Sequence, residues 1–332
     1  MVFDKIRRNL FGIIICSSVI LLLLWAKSFS NLGTSNIIIG TDNTMPLQQL
    51  LVKWVYTDAL LSMVLGLVCV LFTALLLYRL NESHLFITSR EPLLSILFVL
   101  LISAFPDSHY LRSIHPALIF LLLSMNSVFS TYRRDYAFKE VYLGALYLSV
   151  ASLFYAPVIY CLFAFFICLS LMKPVLWRDW VIMLAGLLTP YIFALFYFFF
   201  TEGDWQIPFL LFYDNIIIEL PLVPPVFSVA EWIFVIFVTL ISIVAVLRSF
   251  FVHSLSVKVK GIRINSAFIW IFFIAIVCSV FYTGNRDIEA IMLASFPLAV
   301  ILTNLFSTLK NNVWANIIMF LLILIIISVQ IP

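Results

Sequence analysis

Charged residues are scarce in this sequence. Only 11% of its 332 residues are Asp, Glu, Lys or Arg, whereas 64% are hydrophobic. Soluble domains carry about 25% charged residues, so the composition excludes an ordinary soluble protein and indicates an integral membrane protein. The net charge of +3 comes without a basic stripe, which argues against nucleic acid as a partner.

Glycine is also rare, with 9 residues against 33 phenylalanines. The long apolar runs lack the two-residue alternation that an outer-membrane barrel requires. Backbone inside a bilayer can then satisfy its hydrogen bonds only within helices. The sequence therefore predicts an all-α, polytopic transmembrane bundle that forms a single integral membrane domain over residues 1–332.

Motifs for the commonest catalytic chemistries are missing. The sequence contains no Walker loop, GxGxxG, HExxH or GxSxG pattern, which argues against the usual nucleotide-binding, zinc-protease and serine-hydrolase classes. The five cysteines (16, 69, 161, 168 and 278) fall within apolar runs and lack metal-ligand spacing. We expect them to pack as small hydrophobic residues and predict no metal site and no cofactor.

Eleven apolar runs are predicted to span the membrane. The first resembles a signal peptide, because basic residues precede it, but no small-residue cleavage site follows and we expect it to remain attached. Some runs are shorter than the roughly 20 residues that a perpendicular helix needs, so neighbouring helices must shield them or they must lie beside a water-filled cavity. The predicted spans are 9–26, 55–78, 92–105, 115–130, 141–154, 157–172, 181–200, 231–249, 266–283, 288–306 and 313–330.

The positive-inside rule decides the topology. With a cytoplasmic N-terminus and eleven spans, all 19 Lys and Arg residues face the cytoplasm except Lys27, Lys53, Arg112 and Arg286. A single long helix over 141–172 would destroy this asymmetry, so we predict a hairpin that turns near Pro157. Two outward loops, 27–54 and 201–230, then contain amphipathic segments at 46–54 and 207–221 that are suited to the membrane interface.

Polar residues concentrate in FPDSHYLRSIHP, on the outward turn between the third and fourth spans. Arg112 presents a donor fork that suits a phosphate, and His109 or His115 can donate a hydrogen bond or transfer a proton. The turn therefore predicts an outward site in which Arg112 holds phosphate and His109 or His115 adds a donor or transfers a proton, with Asp107 in the same turn. The alternative is an ordinary solvated turn in which Asp107 caps the next helix.

Two further outward residues complete the predicted site. Arg286 begins the tenth span, at a helix N-terminus that disfavours positive charge, so it needs a carboxylate or an anionic ligand. Asp42 lies in GTDNTMP on the first outward loop, where it is either a turn residue or a further member of the outward site. Glu289 lies near the start of the same span as Arg286, and we expect it to be partly buried.

A resemblance concerns LGALYLSVASLFYAPVIYCLFAFFICLSLMKPVLWRDWVIMLAGLLTPY, residues 143–191. This stretch resembles a family of polytopic proteins of the bacterial inner membrane without an established activity. It implies a multi-pass protein of that membrane, in contact with membrane lipids. Protein partners in the envelope are expected if the chain is a subunit of a complex.

The layout of the whole chain resembles, more distantly, GT-C-fold glycosyltransferases that use lipid-phosphate-linked sugars. The shared features are about eleven spans, an acidic first outward loop, a short helical hairpin and an arginine at a late span. The resemblance implies that Asp42 acts as base or orients the acceptor, and that Arg286 grips the phosphate of a polyprenyl-phosphate-linked sugar on the periplasmic side.

In the mechanism that the resemblance implies, Asp107 and His109 supply or replace the base, and Arg112 and His115 assist the phosphate.

The rival classes are a non-catalytic subunit or scaffold of an envelope assembly or secretion complex, and a transporter. A transporter would be expected to bury charged residues near the middle of the membrane. This sequence keeps almost all of its charges at the ends of the predicted spans, which argues against a transporter.

Overall fold

The computed structural model describes residues 10–30, 45–55, 58–87, 93–203, 206–216, 227–251, 259–282, 288–309 and 312–330. Within these ranges every regular element is helical. The α-helices are α1 (Leu10–Ser30), α2 (Pro46–Val55), α3 (Ala59–His84), α4 (Leu93–Ile102), α5 (Ile114–Ser130), α6 (Phe138–Phe154), α7 (Cys161–Met172), α8 (Trp177–Glu202), α9 (Ile207–Ile216), α10 (Val229–Phe251), α11 (Val259–Tyr282), α12 (Ile288–Leu293), α13 (Ser295–Thr308) and α14 (Asn312–Gln330). Short 3₁₀ helices cover Pro106–His109 and Ala156–Tyr160.

The helices confirm a helical membrane protein. Each of the eleven predicted spans coincides with one or two of them. Six segments of the described chain are long and apolar enough to cross a bilayer, and the eleven-span count stays a prediction. The six are Ala59–His84, Trp177–Thr201, Val229–Ser249, Val259–Val280, Ile288–Thr308 and Val313–Gln330.

The short helix α4 is shielded by its neighbours, which is one of the two arrangements that the sequence predicts. α4 has ten residues, which rise about 15 Å, and packs against α1, α3 and α13. Eight of those ten residues are buried. Protein therefore replaces lipid around a helix that is too short to cross about 30 Å of hydrocarbon by itself.

The hairpin prediction for residues 141–172 is confirmed. The backbone N–H of Arg133, before α6, donates to the carbonyl of Met172 at the end of α7, over 3.3 Å. The two chain segments therefore start and finish at the same end of the bundle. Pro157 lies in the 3₁₀ helix that makes the turn at the opposite end.

Cross-contacts define the two ends of the bundle, which we call the His109 end and the His84 end. At the His109 end the Lys27 ammonium donates to the carbonyl of Gln330, which joins the last turns of α1 and α14. At the His84 end Arg248 donates to the carbonyl of Thr308, which joins α10 to α13. These contacts agree with the predicted alternation of successive spans.

The other sequence predictions meet the structure in part. The segment 46–54 is helical in α2, and 207–216 is helical in α9, while 217–221 lies outside the described residues.

The helix α3 is longer than the predicted span. It begins after Asp58 and continues to His84, six residues beyond the predicted end, because Asn81 and His84 are themselves buried at the His84 end. The described cysteine side chains, at 69, 161, 168 and 278, are free thiols that pack in the bundle.

Candidate functional site

The turn between α4 and α5 is fixed to its neighbours by hydrogen bonds. Pro106 starts the 3₁₀ helix, where its missing N–H costs nothing. The Ser108 hydroxyl donates to the carbonyl of Phe105 over 2.6 Å. The N–H of Leu111 donates both to the hydroxyl and to the carbonyl of Ser62 in α3. The polar residues of this turn are thus held in one arrangement.

His109 is packed inside the protein. Its ring stacks on Trp25 with centroids 5.0 Å apart, and only 1% of the residue is exposed. Nε2 lies 3.3 Å from the carbonyl of Ser103, which can only accept, so Nε2 carries the hydrogen and Nδ1 accepts from the Ser28 hydroxyl at 2.6 Å. Burial lowers the pKa of His109 to about 4. The imidazole is therefore neutral near pH 7.

Arg112 reaches the surface of the His109 end. Its Nε donates to the backbone carbonyl of Asp107 over 2.9 Å, and its backbone N–H donates to Nδ1 of His115 over 3.0 Å. One terminal nitrogen of the guanidinium lies 3.8 Å from Oε1 of Glu289. The Arg112 side chain is 31% exposed and that of Glu289 only 11%. An ion pair of 3.8 Å is too long for a hydrogen bond, so this contact leaves the terminal donors for another acceptor.

Buried polar atoms without a partner collect at the same end. In the described part of the chain, six buried side-chain atoms lack a hydrogen bond. Five of these belong to residues in or near the polar turn and α13, namely Trp25, Ser103, Ser113, His115 and Ser295. Buried polar groups are normally paired, and exceptions concentrate at sites with a special role. The His109 end is therefore set apart from the rest of the bundle.

An apolar cavity of about 380 Å³ lies beside this turn. Its walls come from the turn after α4 (Phe105), the start of α10 (Trp232), the end of α11 (Ser279), α12 (Ile291 and Met292) and α13 (Ser295). Trp232 is 40% exposed and Val280, another lining residue, 63% exposed. The cavity therefore opens on the side of the bundle, where lipid would lie.

The cavity and the ion pair share two chain segments. Glu289, which faces Arg112, is three residues before the cavity residue Met292 on α12, a rise of about 4.5 Å. Phe105, also in the wall, is two residues before Asp107. A positively charged group and an apolar chamber are thus neighbours at the His109 end.

The structure groups the predicted site residues only in part. Asp107, His109 and Arg112 lie on the turn between α4 and α5, and His115 follows in the first turn of α5, close to Arg112 as predicted. Asp107 is exposed and Arg112 half-buried, whereas the rings of the two histidines are packed inside. Asp42 and Arg286 lie outside the described residues.

Two features of this site escaped sequence reasoning. Glu289 is buried, as predicted, but its pairing with Arg112 joins residues 177 positions apart, and no local pattern indicates that distance. Trp25 and Ser28 end the first apolar helix and look like interfacial residues, yet they hold His109. Only the side-by-side packing of α1 and the polar turn could reveal this.

Comparisons with known proteins give no match to a family model, to a curated protein or to a solved structure. Among the described residues, no group of three or more His, Cys, Asp or Glu side chains is arranged to hold a metal ion. The functional assignment therefore rests on the chemistry of the His109 end.

Proposed function

We propose that the protein binds a lipid-linked phosphate at the His109 end, with the phosphate at Arg112 and the lipid chain in the adjoining cavity. The observation that carries this proposal is the juxtaposition of a half-buried guanidinium with a laterally open apolar cavity of about 380 Å³. An amphipathic anion matches both features at once. A polyprenyl-phosphate-linked sugar, the substrate class of GT-C-like glycosyltransferases, is a ligand of this kind.

The head group would be recognised by Arg112. Its Nε and its main-chain N–H are already used, which fixes the direction of the guanidinium. The terminal nitrogens then form a preorganised pair of donors that phosphate oxygens can accept in bidentate fashion. Arg286, on the chain just before α12, is the second predicted phosphate ligand.

The lipid chain would be recognised by the cavity wall. The wall is formed largely by aromatic and aliphatic side chains, and about 380 Å³ lies within the roughly 300–1,000 Å³ of small-molecule sites. Because the opening is lateral, a chain can enter from the bilayer without crossing water. Nothing in the wall selects one isoprenoid length.

Glycosyl transfer would need one carboxylate close to the phosphate. Asp107 is exposed, and its backbone carbonyl accepts from Nε of Arg112, so the two residues are neighbours in the fold. In the proposed reaction Asp107 or Asp42 removes the acceptor hydroxyl proton, the new glycosidic bond forms, and the sugar–phosphate bond breaks. Arg112 stabilises the phosphate that leaves. His109 and His115 position the turn.

A non-catalytic role for the same site is the second possibility. It is favoured by the two buried histidines, because His109 has both ring nitrogens in hydrogen bonds and little contact with solvent. A lipid-binding subunit of an envelope complex needs the guanidinium and the cavity, but no acid or base.

Mass spectrometry of lipids retained after gentle purification tests the proposal. We expect the wild-type protein to retain a polyprenyl phosphate or its glycosylated form, and Arg112→Ala and Arg286→Ala to retain several-fold less. Lys27→Ala removes a charge at the same end without touching the proposed site and should retain as much as wild type.

The identity of the retained lipid separates the two roles. A glycosylated polyprenyl phosphate supports the glycosyltransferase, and the unglycosylated phosphate alone supports the binding subunit. If only bulk phospholipid is found in wild type and in all variants, the lipid-phosphate site is refuted.

A further inference from the structure

A second concentration of charge lies at the His84 end. Arg133, Lys260 and Arg263 all approach the ring of Tyr132, with their charged groups 5.4, 5.7 and 5.9 Å from its centroid. We call these four residues the Tyr132 cluster. Its members come from the turn after α5 and from the first turns of α11, so only the folded chain brings them together.

The cluster has an excess of positive charge. Within the described chain no carboxylate lies within 4 Å of its three cations. The neighbouring Arg134 is paired with Glu140 at 2.9 Å, so that acid is already engaged. An aromatic ring has only two faces, and its attraction for a cation does not cancel the repulsion among three cations. An anion bound among the three cations would cancel this repulsion.

Hydrogen bonds hold these cations in place. The Lys260 ammonium donates to Nδ1 of His84 over 2.9 Å, and Nε2 of His84 then donates to the side-chain oxygen of Asn126 over 3.0 Å. Arg263 donates from one terminal nitrogen to the carbonyl of Leu171 over 2.9 Å. Lys260 and Arg263 are therefore fixed by α3, α5 and α7, and their remaining N–H groups form a rigid set of donors.

The surroundings of the cluster are those of a membrane interface. Val259 and Ile262, on the same turns of α11 as the cations, are 56% and 40% exposed. Exposed aliphatic groups next to fixed cations suit a molecule with acyl chains and a negative head group. Basic pockets between membrane helices commonly hold such head groups.

We propose that the Tyr132 cluster is a specific site for the phosphodiester head group of an anionic phospholipid. Arg133, Lys260 and Arg263 donate to the phosphate oxygens, while the acyl chains lie along the exposed aliphatic residues of α11. The site is at the end of the bundle opposite Arg112 and does not depend on the lipid-linked phosphate proposed there. It gives these basic residues a defined ligand, beyond a general attraction to the membrane surface.

The test measures lipid binding to the delipidated protein in a neutral detergent. Phosphatidylglycerol is titrated and binding is read by native mass spectrometry, with phosphatidylcholine and inorganic phosphate as the comparison ligands. We expect phosphatidylglycerol to bind and phosphatidylcholine to bind at least tenfold more weakly. Arg133→Gln and Arg263→Gln should each weaken phosphatidylglycerol binding about fivefold, the fold-change of about 1 kcal/mol per basic residue at a membrane surface.

Arg178→Gln is the matched control. Arg178 is an exposed arginine at the same end that also contacts an aromatic ring, that of Trp177. The Arg178→Gln variant should bind phosphatidylglycerol as strongly as wild type. Because Arg263 also donates to the carbonyl of Leu171, Arg263→Gln removes a structural hydrogen bond as well. Arg263→Lys, which keeps the charge, and the elution volume of each variant report whether the fold is kept.

Three results would overturn the proposal. Equal binding of the two lipids would show that no negative charge is selected. An equal loss in Arg178→Gln would show a diffuse charge effect. Displacement of the lipid by millimolar inorganic phosphate would identify a site for a free anion, without a role for acyl chains.

Discussion

At the scale of single residues, the protein uses its few charges in two different ways. Lys173 and Asp179 form an ion pair of 2.7 Å in which both side chains are 0% exposed. Asp179 also accepts the backbone N–H of Leu176, so it fixes the turn that starts α8. Arg112, in contrast, has a long contact to its acid and is open to solvent. The first pair is a structural element, and Arg112 is the proposed phosphate-binding group.

Removal of one partner from the buried pair should strongly destabilise the protein. Lys173→Met leaves the Asp179 carboxylate buried without its cation, so we expect the free energy of unfolding to fall by roughly 3–5 kcal/mol. The double variant Lys173→Met/Asp179→Leu should recover part of this loss, because neither charge is then buried alone. About 1 kcal/mol should stay lost, because Asp179 no longer caps the start of α8. Unfolding in mixed micelles with increasing denaturant measures both.

The exposed pair of Arg134 and Glu140 is the control for this prediction. Its side chains are 60% and 25% exposed at a similar distance of 2.9 Å. Arg134→Gln should change the free energy of unfolding by no more than about 1 kcal/mol. Similar losses in Arg134→Gln and Lys173→Met would contradict the conclusion that burial makes the Lys173–Asp179 pair important for stability.

At the scale of elements, α6 and α8 pack closely through small and polar residues. The Ser149 hydroxyl donates to the carbonyl of Leu187 over 2.7 Å, and the Ser152 and Tyr191 hydroxyls lie 2.7 Å apart. A Cβ atom on Gly186 would lie 2.6 Å from the carbonyl oxygen of Tyr142 and 3.0 Å from Cβ of Ala145. Small residues allow such an approach between membrane helices, where dispersion and hydrogen bonds drive association.

Gly186→Ala should therefore destabilise the bundle although alanine favours helices. The gain in helix propensity is about 1 kcal/mol, and the clash with backbone atoms costs roughly 1–3 kcal/mol. We expect a lower midpoint of thermal unfolding in detergent, and a larger decrease for Gly186→Leu. The control is Leu188→Ala, on the exposed face of the same helix, which should shift the midpoint little. A midpoint that rises in both Gly186 variants would refute the close packing of α6 and α8.

At the scale of the whole molecule, the charges divide between the two ends. The described basic side chains at the His84 end include the Tyr132 cluster and Arg134, Lys139, Arg178 and Arg248, whereas Lys27 and Arg112 lie at the His109 end. Cytoplasmic segments of membrane proteins carry this excess. By this rule the asymmetry predicts an outward position for the proposed lipid-phosphate site and an inward position for the anionic-lipid site.

Reporter fusions should confirm this orientation. Alkaline phosphatase fused after Gly203 should be active, since the enzyme folds only outside the cytoplasm, and the same fusion after Asp135 should be inactive. Green fluorescent protein at the same two positions should give the opposite pattern. Activity of the phosphatase after Asp135 but not after Gly203 would reverse the topology and move Arg112 to the cytoplasm.

The sequence by itself determined the class of structure. Apolar runs bounded by charges require helices wherever backbone must be satisfied in lipid, and every predicted span is helical. The unequal distribution of Lys and Arg also selected the hairpin over one long helix, because charge placement is a property of the linear chain. The Arg133–Met172 contact agrees with it.

Only the tertiary structure decided which polar residues are buried and which lie together. Both histidines of the turn have the residue chemistry of a catalyst, yet helix packing buries them, and the pKa of His109 falls for that reason. The Arg112–Glu289 pair, the adjoining cavity and the Tyr132 cluster all join segments far apart in sequence. Periodicity and spacing are local properties of the chain, whereas these contacts depend on which helices pack side by side.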